Sequence, residues 1–163
     1  MIEKSFAVRH AVPEFFIIPG AGYTLEEWRD AGMIVVAAVI EKNGQVLIGQ
    51  RRPKDRHPLK WEFPGGKVES GESPREALRR ELNEELGIQA VIGDEITRYT
   101  HSYPPKPLFE LIFFRVTEFA GELRNIVFEK IEWVGARSLP SYDFLDGDVE
   151  FVRKLARSAR SRG

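Results

Sequence analysis

The sequence predicts an α/β domain, and three observations carry that prediction. Runs rich in β-branched and aromatic residues recur at 33–40, 45–50, 88–92, 96–103, 108–119 and 130–134. Between them, residues 74–86 show a helical period with capping residues at both ends, and a second amphipathic stretch at 149–158 lies near the C-terminus. The 163 residues amount to one domain with a sizeable core, and no internal repeat or linker interrupts them. A hydrophobic content of 42% with 30% charged residues is that of a globular protein rather than a disordered or membrane one. The net charge of -1 gives no global attraction to nucleic acid, so stable nucleic-acid binding is not expected and any phosphate must be held by a local site. Without cysteine there is no disulfide framework, thiolate catalysis or cysteine zinc site. The start, MIEKSFAVRH, has no apolar signal region, and the longest apolar run, 33–40, is too short to span a bilayer, so a cytoplasmic location without a membrane partner is expected.

In chain order, residues 1–31 form an extension. A strand at 14–18, a turn at 19–22 and a short helix through 25–30 capped by Thr24 are expected there. Phe15, Phe16 and Trp28 are heavy apolar cargo for a tail, so the extension should pack on the domain or on a partner subunit, the latter making a homodimer. The domain proper is expected over 32–163. Its first two strands meet at Asn43-Gly44, a hairpin turn, and Arg51-Arg52 follows the second as either a solvated basic edge or a phosphate clamp. Residues 53–60 read as a loop in which His57 is a surface side chain. Then comes Trp61-Glu62-Phe63-Pro64-Gly65-Gly66-Lys67, where paired glycines allow a sharp turn and a close approach to a bound group. After the helix at 74–86, Pro104 to Pro107 is a rigid turn, 108–119 should be one long central strand, and His101 should face the rim of a cleft. Ser138-Leu139-Pro140 opens a loop, and Asp148 should start and cap the last helix, 149–158. The basic tail after it reads as a solvated end.

The helix at 74–86 carries the chemistry. Ser73 is a good N-cap, Pro74 suits the first turn, Glu76 completes a capping box, and Gly87 is a natural terminator. Leu78, Leu82 and Leu86 line one flank, while Glu81, Glu84 and Glu85 fall on a neighbouring arc. Like charges at these spacings weaken a helix by roughly 0.2–0.5 kcal/mol per pair, a penalty that a divalent cation would remove. Oxygen-only donors favour Mg²⁺, with Mn²⁺ as the alternative, over zinc. Arg80 is four residues from both Glu76 and Glu84 and could orient a carboxylate.

Gly66, five residues, Glu72, seven residues, Arg80-Glu81-Leu82, one residue, Glu84-Glu85, one residue, and Gly87-Ile88 match the signature box of the Nudix hydrolases at every specified position. A chance match in a chain of this length is on the order of one in ten million, whereas a lone E-x-x-E-E would say little. The chain resembles that family over about 32–155, and WEFPGGK together with the late aspartate resembles its MutT-like branch, which hydrolyses nucleoside triphosphates to a monophosphate and pyrophosphate. The resemblance implies an α/β/α sandwich with a mixed sheet between helices. It implies a nucleotide substrate in the nucleotide pool, such as 8-oxo-dGTP or CTP and dCTP. It also implies Mg²⁺ held by the Gly65 carbonyl, Glu81, Glu84 and Glu85, with Glu81 as the base that activates water. By the same resemblance Arg51 meets phosphate, Lys67 lies near the leaving group, and Glu62, Phe63 and Asp148 belong to the substrate pocket, with Arg80 and Glu84 in the catalytic set.

Two departures from that branch stand out. Val127 occupies the position of a further glutamate, with Glu129 the nearest substitute. Asp148 replaces an asparagine, and an ionised aspartate only accepts hydrogen bonds where asparagine also donates, which favours a base with an exposed amino group. Pro104, sixteen residues beyond Ile88, has a spacing associated with ADP-ribose hydrolases, so a nucleoside diphosphate derivative is the alternative substrate. A non-catalytic binding module is the alternative of another kind.

Overall fold

The structure, a computed structural model, describes residues 32–104 and 108–160. The strand and helix expected within 1–31, the turn through 105–107 and the end at 161–163 lie outside the described residues. The elements follow in the order β1 (Ile34–Lys42), β2 (Gln45–Gln50), β3 (Trp61–Glu62), β4 (Gly65–Lys67), α1 (Pro74–Leu86), β5 (Gln89–Val91), β6 (Glu95–His101), β7 (Phe109–Val116), β8 (Glu118–Ala120), β9 (Lys130–Gly135), a 3₁₀ turn over Ala136–Ser141, and α2 (Asp146–Arg160).

The main sheet runs β3-β2-β1-β7-β6, with β4 also on β1 and β9 also on β2. It is mixed: β1 and β7 are parallel over Ile34–Ile40, and the other pairs are antiparallel. The strands β1 and β2 share only the pairs Glu41 with Val46 and Lys42 with Gln45 beside the Asn43-Gly44 turn, and then part. Beyond that point β1 takes β4 as partner, while β2 takes β3 and β9. The segment 61–67 bridges the split, which is where the sequence concentrates its chemistry.

Strand periodicity sends alternate β1 residues to opposite faces. Val36, Ala38 and Ile40 join Leu78, Leu82, Leu86, Ile112 and Phe114 in one core, whereas Ala37 and Val39 join Phe63, Phe113, Phe144, Phe151 and Val152 in the other. With α1 over one face and α2 over the other, the sheet is buried on both sides, which is why β1 reads as a continuous apolar run. This is the expected α/β/α sandwich. Leu82 is fully buried in the α1-side core. Leu82→Ala should therefore lower stability by about 2–5 kcal/mol in urea denaturation, and a loss under about 1 kcal/mol would mean that α1 is not anchored by this face.

The helix α1 has the predicted bounds: Ser73 and Glu76 form the reciprocal capping box, and Gly87 ends the helix at φ 69°. Three expectations are corrected. The run 108–119 is two strands, because the chain leaves β7 at Thr117 and β8 pairs with β5, bringing Phe119 onto the α1-side core. The segment at Ser138-Leu139-Pro140 is a 3₁₀ turn with Leu139 buried beneath it. The last helix begins at Asp146, so Asp148 sits inside its first turn and its carboxyl reaches across to the Phe63 N–H rather than serving as the cap. Among the described residues no helix is long and apolar enough to cross a membrane.

Candidate active site

The turn at Pro64-Gly65-Gly66 is pressed between the sheet and α1. Gly65 has φ 150°, and a Cβ there would run into the Val36 carbonyl oxygen. A Cβ on Gly66 would overlap the Glu81 carboxylate. The Pro64 carbonyl accepts the Ala38 N–H at 2.8 Å, and the Gly65 N–H donates to Glu85 Oε2 at 2.9 Å. The glycines thus let β4 lie directly against the carboxylates of α1.

Arg80 organises that acidic face. Its Nη1 donates to Glu81 Oε1 at 2.8 Å and reaches Glu84 at 3.4 Å, while Nε and Nη2 grip both oxygens of Glu72 at 3.2 and 2.7 Å. Nη2 also donates to the Lys67 carbonyl at 3.0 Å, which ties the glycine turn to the helix. The expected reach of Arg80 to Glu76 is not made, because Glu76 accepts from the Ser73 backbone at 2.7 Å in the capping box. Glu84 leaves 57% of its side chain exposed against 17% for Glu81, so Glu84 stands at the solvent edge of the acidic face. Glu85 lies deepest. Burial pushes its carboxyl up to about 9, and the Glu62 and Glu81 charges add to this against the opposing Gly65 N–H and Arg51.

Across the turn, Arg51 Nη1 contacts both oxygens of Glu62 at 3.1 and 2.9 Å, and its Nε donates to the Arg56 carbonyl at 2.6 Å. Burial raises the Glu62 carboxyl, and the Arg51 charge opposes that rise. Asp148, with 6% exposure, is the one polar or charged residue buried among the described residues. Burial, reinforced by the Glu62 charge, pushes its carboxyl up to about 8, while the Phe63 N–H opposes the shift. At neutral pH it is therefore largely a neutral acid, able to donate as well as accept, which corrects the expectation of an ionised acceptor. Phe63 is 4% exposed, with its ring against Phe113, Phe144 and Phe151, so its ring belongs to the core and its N–H faces Asp148.

A family profile described as the NUDIX domain matches residues 31–155, most of the chain. The chain belongs to the Nudix family. Among similar proteins is the CTP pyrophosphohydrolase of Escherichia coli K12, 36% identical over 128 residues that make up 77% of this chain and 94% of that protein. The 8-oxo-dGTP diphosphatase of Haemophilus influenzae is 35% identical over 128 residues, 77% of this chain and 93% of the relative. Among solved structures, the E. coli ORF135 protein superposes with a TM-score of 0.70 at 32% identity, covering 80% of this chain and 91% of its own.

In this Nudix domain the box residues Gly66, Glu72, Arg80, Glu81, Glu84 and Glu85 are joined by the contacts above. Even so, among the described residues no three of His, Cys, Asp and Glu are already gathered closely enough to hold a metal ion. Arg80 draws Glu81 and Glu84 towards itself, and Glu85 is turned onto the Gly65 N–H. Lys67 has an exposed side chain at the end of β4. Val127 packs against the α1-side core, and Glu129 is exposed, with its N–H on the Gln50 carbonyl at 2.8 Å. His57 is half-buried with its ring 4.8 Å from that of Tyr103, which corrects its reading as a plain surface side chain. His101 packs edge-on against Tyr103 and Phe109, and burial lowers its pKa. Sequence reasoning missed the pairing of Arg51 with Glu62 and the hydrogen bonds of Tyr99 and Tyr103 to the Gly147 backbone, next to Asp148. The signal for the tyrosines was their i, i+4 spacing, with Tyr99 in β6 and Tyr103 just beyond its end.

Proposed function

We propose that this Nudix enzyme hydrolyses a nucleoside triphosphate to the monophosphate and pyrophosphate with Mg²⁺, acting on nucleotides such as 8-oxo-dGTP, CTP or dCTP. The observation that carries the reading is the adjacency of two unlike sites across the Gly65-Gly66 turn: an acidic face of Glu81, Glu84 and Glu85 on α1, and a buried, neutral Asp148 beside Glu62. The first suits a polyphosphate with its cation, and the second suits the edge of a base. The names of the relatives, one acting on CTP and others on 8-oxo-dGTP, support the substrate class.

The donor set fits the metal. Every candidate ligand is an oxygen, and Glu85 keeps its proton because burial and two neighbouring carboxylates oppose its charge. That is the behaviour of a cluster built to be neutralised by a cation, with Glu81, Glu84, Glu85 and the Gly65 carbonyl as its ligands. The ion would neutralise phosphate charge and lower the pKa of water. Among the protein's own groups, Arg80 holds Glu81 through Oε1, leaving Oε2 as the atom to take a proton from the attacking water. Arg51 offers its guanidinium to phosphate while Glu62 keeps it oriented, and Lys67, exposed beside the turn, can follow the departing pyrophosphate. The fully buried core on both sides of the sheet keeps this constellation rigid, as positioning-dominated phosphoryl chemistry requires.

The test is a product-resolved screen of CTP, dCTP, 8-oxo-dGTP, dGTP, ATP, ADP-ribose and dinucleoside polyphosphates with and without Mg²⁺. Triphosphates should yield monophosphate and pyrophosphate only with the metal. Turnover of ADP-ribose or a dinucleoside polyphosphate far above every triphosphate would overturn the proposed substrate class. Tight nucleotide binding without hydrolysis of any phosphoanhydride would indicate a binding module instead.

A further inference from the structure

We propose that Tyr99 and Tyr103 are positioning residues for the base-reading Asp148, acting through the backbone of Gly147. The inference rests on the reading of Asp148 given above. Along β6 and just beyond it, positions 99, 101 and 103 share one face, as the period of two requires. The two phenols meet Gly147 through opposite backbone groups: its N–H donates to the Tyr103 hydroxyl at 3.0 Å, and the Tyr99 hydroxyl donates to its carbonyl at 2.6 Å. Gly147 is the second residue of α2, so its N–H is one of those that no carbonyl within the helix can reach. Tyr103 supplies the missing acceptor from another element. A Cβ at Gly147 would lie 3.2 Å from the Tyr103 hydroxyl and 3.3 Å from His101 Cδ2, so the residue is seated against the aromatic ladder with little room to shift.

Asp148 follows directly. Its side-chain bond to the Phe63 N–H is 3.4 Å long, at the weak end of the range, so the place of its carboxyl is set chiefly by the backbone that the tyrosines grip. The grip is itself held rigid. Tyr99 stacks on Phe113 at 5.9 Å, and Phe113 also carries the ring of Phe63 at 5.6 Å, so both neighbours of Asp148 refer to one buried ring. Tyr103 stacks on Phe109 at 6.0 Å and meets His57 of the 53–60 loop at 4.8 Å. That loop also accepts Arg51 Nε through the Arg56 carbonyl, so Tyr103 joins the loop beside Arg51 to the helix turn that carries Asp148. A small rotation of the first turn of α2 would carry the acid away from a bound base without disturbing the carboxylates of α1.

Tyr99→Phe and Tyr103→Phe remove one oxygen each and keep the rings. The measurement is kcat and KM for CTP and for 8-oxo-dGTP, read as the ratio of the two kcat/KM values. Losing one such hydrogen bond should move that ratio by roughly three- to tenfold, through KM more than kcat. A merely structural anchor would lower the folded fraction, scale both nucleotides alike and leave the ratio unchanged. Asp148→Ala measured alongside separates base reading by Asp148 from its positioning by the tyrosines. If it moves the ratio and neither tyrosine variant does, the positioning role is overturned while the reading of Asp148 stands. If Asp148→Ala leaves the ratio unchanged, that reading falls and the positioning role with it. Should Tyr103→Phe fail to fold, Tyr99→Phe alone carries the test.

Discussion

Glu81→Gln and Glu85→Gln should each lose roughly 10²–10⁴-fold in kcat while folding normally. For Glu81, on the proposed mechanism, the loss follows from removing the proton acceptor whose other oxygen Arg80 holds at 2.8 Å. For Glu85, on the proposed reading, it follows from losing a carboxyl that a bound cation would hold in its ionised form, which glutamine cannot supply. Stability without metal should stay level or rise. Glu85 is buried beside Glu62 and Glu81, and a glutamine retains an oxygen to accept the Gly65 N–H now made at 2.9 Å. For Glu81→Gln, relief of like-charge contact along α1 acts in the same direction. The check is steady-state kinetics with Mg²⁺, paired with thermal unfolding in chelator. Full activity in both variants, or collapse of the fold, would return these glutamates to an ordinary acidic helix face.

Asp148→Ala should change the relative kcat/KM of two nucleotides about five- to a hundredfold, because the buried hydrogen bond to a base proposed for it is worth roughly 1–3 kcal/mol. Asp148→Asn should behave differently. Since Asp148 is held largely neutral at pH 7, asparagine reproduces its donor and acceptor pair, and the ranking of bases near neutral pH should be kept. The groups facing Asp148 are the Glu62 carboxylate and the phenols of Tyr99 and Tyr103, and only Glu62 adds to the upward shift of Asp148 with a negative charge near neutral pH. The sign for stability follows from a folded value of about 8 against an ordinary 3.8. The folded protein binds this proton more tightly than the unfolded chain does. Its contribution is therefore full below pH 3.8 and is lost as the pH climbs to about 8. Asp148→Asn has no such loss, so its melting temperature relative to the parent should rise across that window. An unchanged difference at all pH values, with an unchanged base ranking in Asp148→Ala, would reduce Asp148 to a packing residue.

Much of the acidic half of the site was legible in the chain because its information is local. The bounds of α1 follow from Ser73, Pro74, Glu76 and Gly87 acting within a few residues of one another, and the convergence of Glu81, Glu84 and Glu85 follows from helical period alone. The Gly65-Gly66 turn was legible for a similar reason, although the obstacles that demand glycine there, the Val36 carbonyl and the Glu81 carboxylate, come from distant parts of the chain. The break at Thr117 was not legible, since nothing in 108–119 announces that its last residues find their partner in β5.

What the sequence determined by itself was the family, with the sandwich that the resemblance implies, and the inventory of reacting groups, since the signature box and the inventory depend on residue type and spacing. Only the tertiary structure decided their states. Arg80 chose Glu72 over Glu76 because the capping box had already taken Glu76, and Arg51 was paired with Glu62 across the strand-to-loop bend. Asp148, a helix cap by position in the sequence, became a buried acid because Tyr99 of β6 and Tyr103 beyond it hold Gly147 and Phe63 faces its carboxyl. Protonation state and ion-pair choice depend on the dielectric and on neighbours tens of residues away, and those are set by packing rather than by local order in the chain.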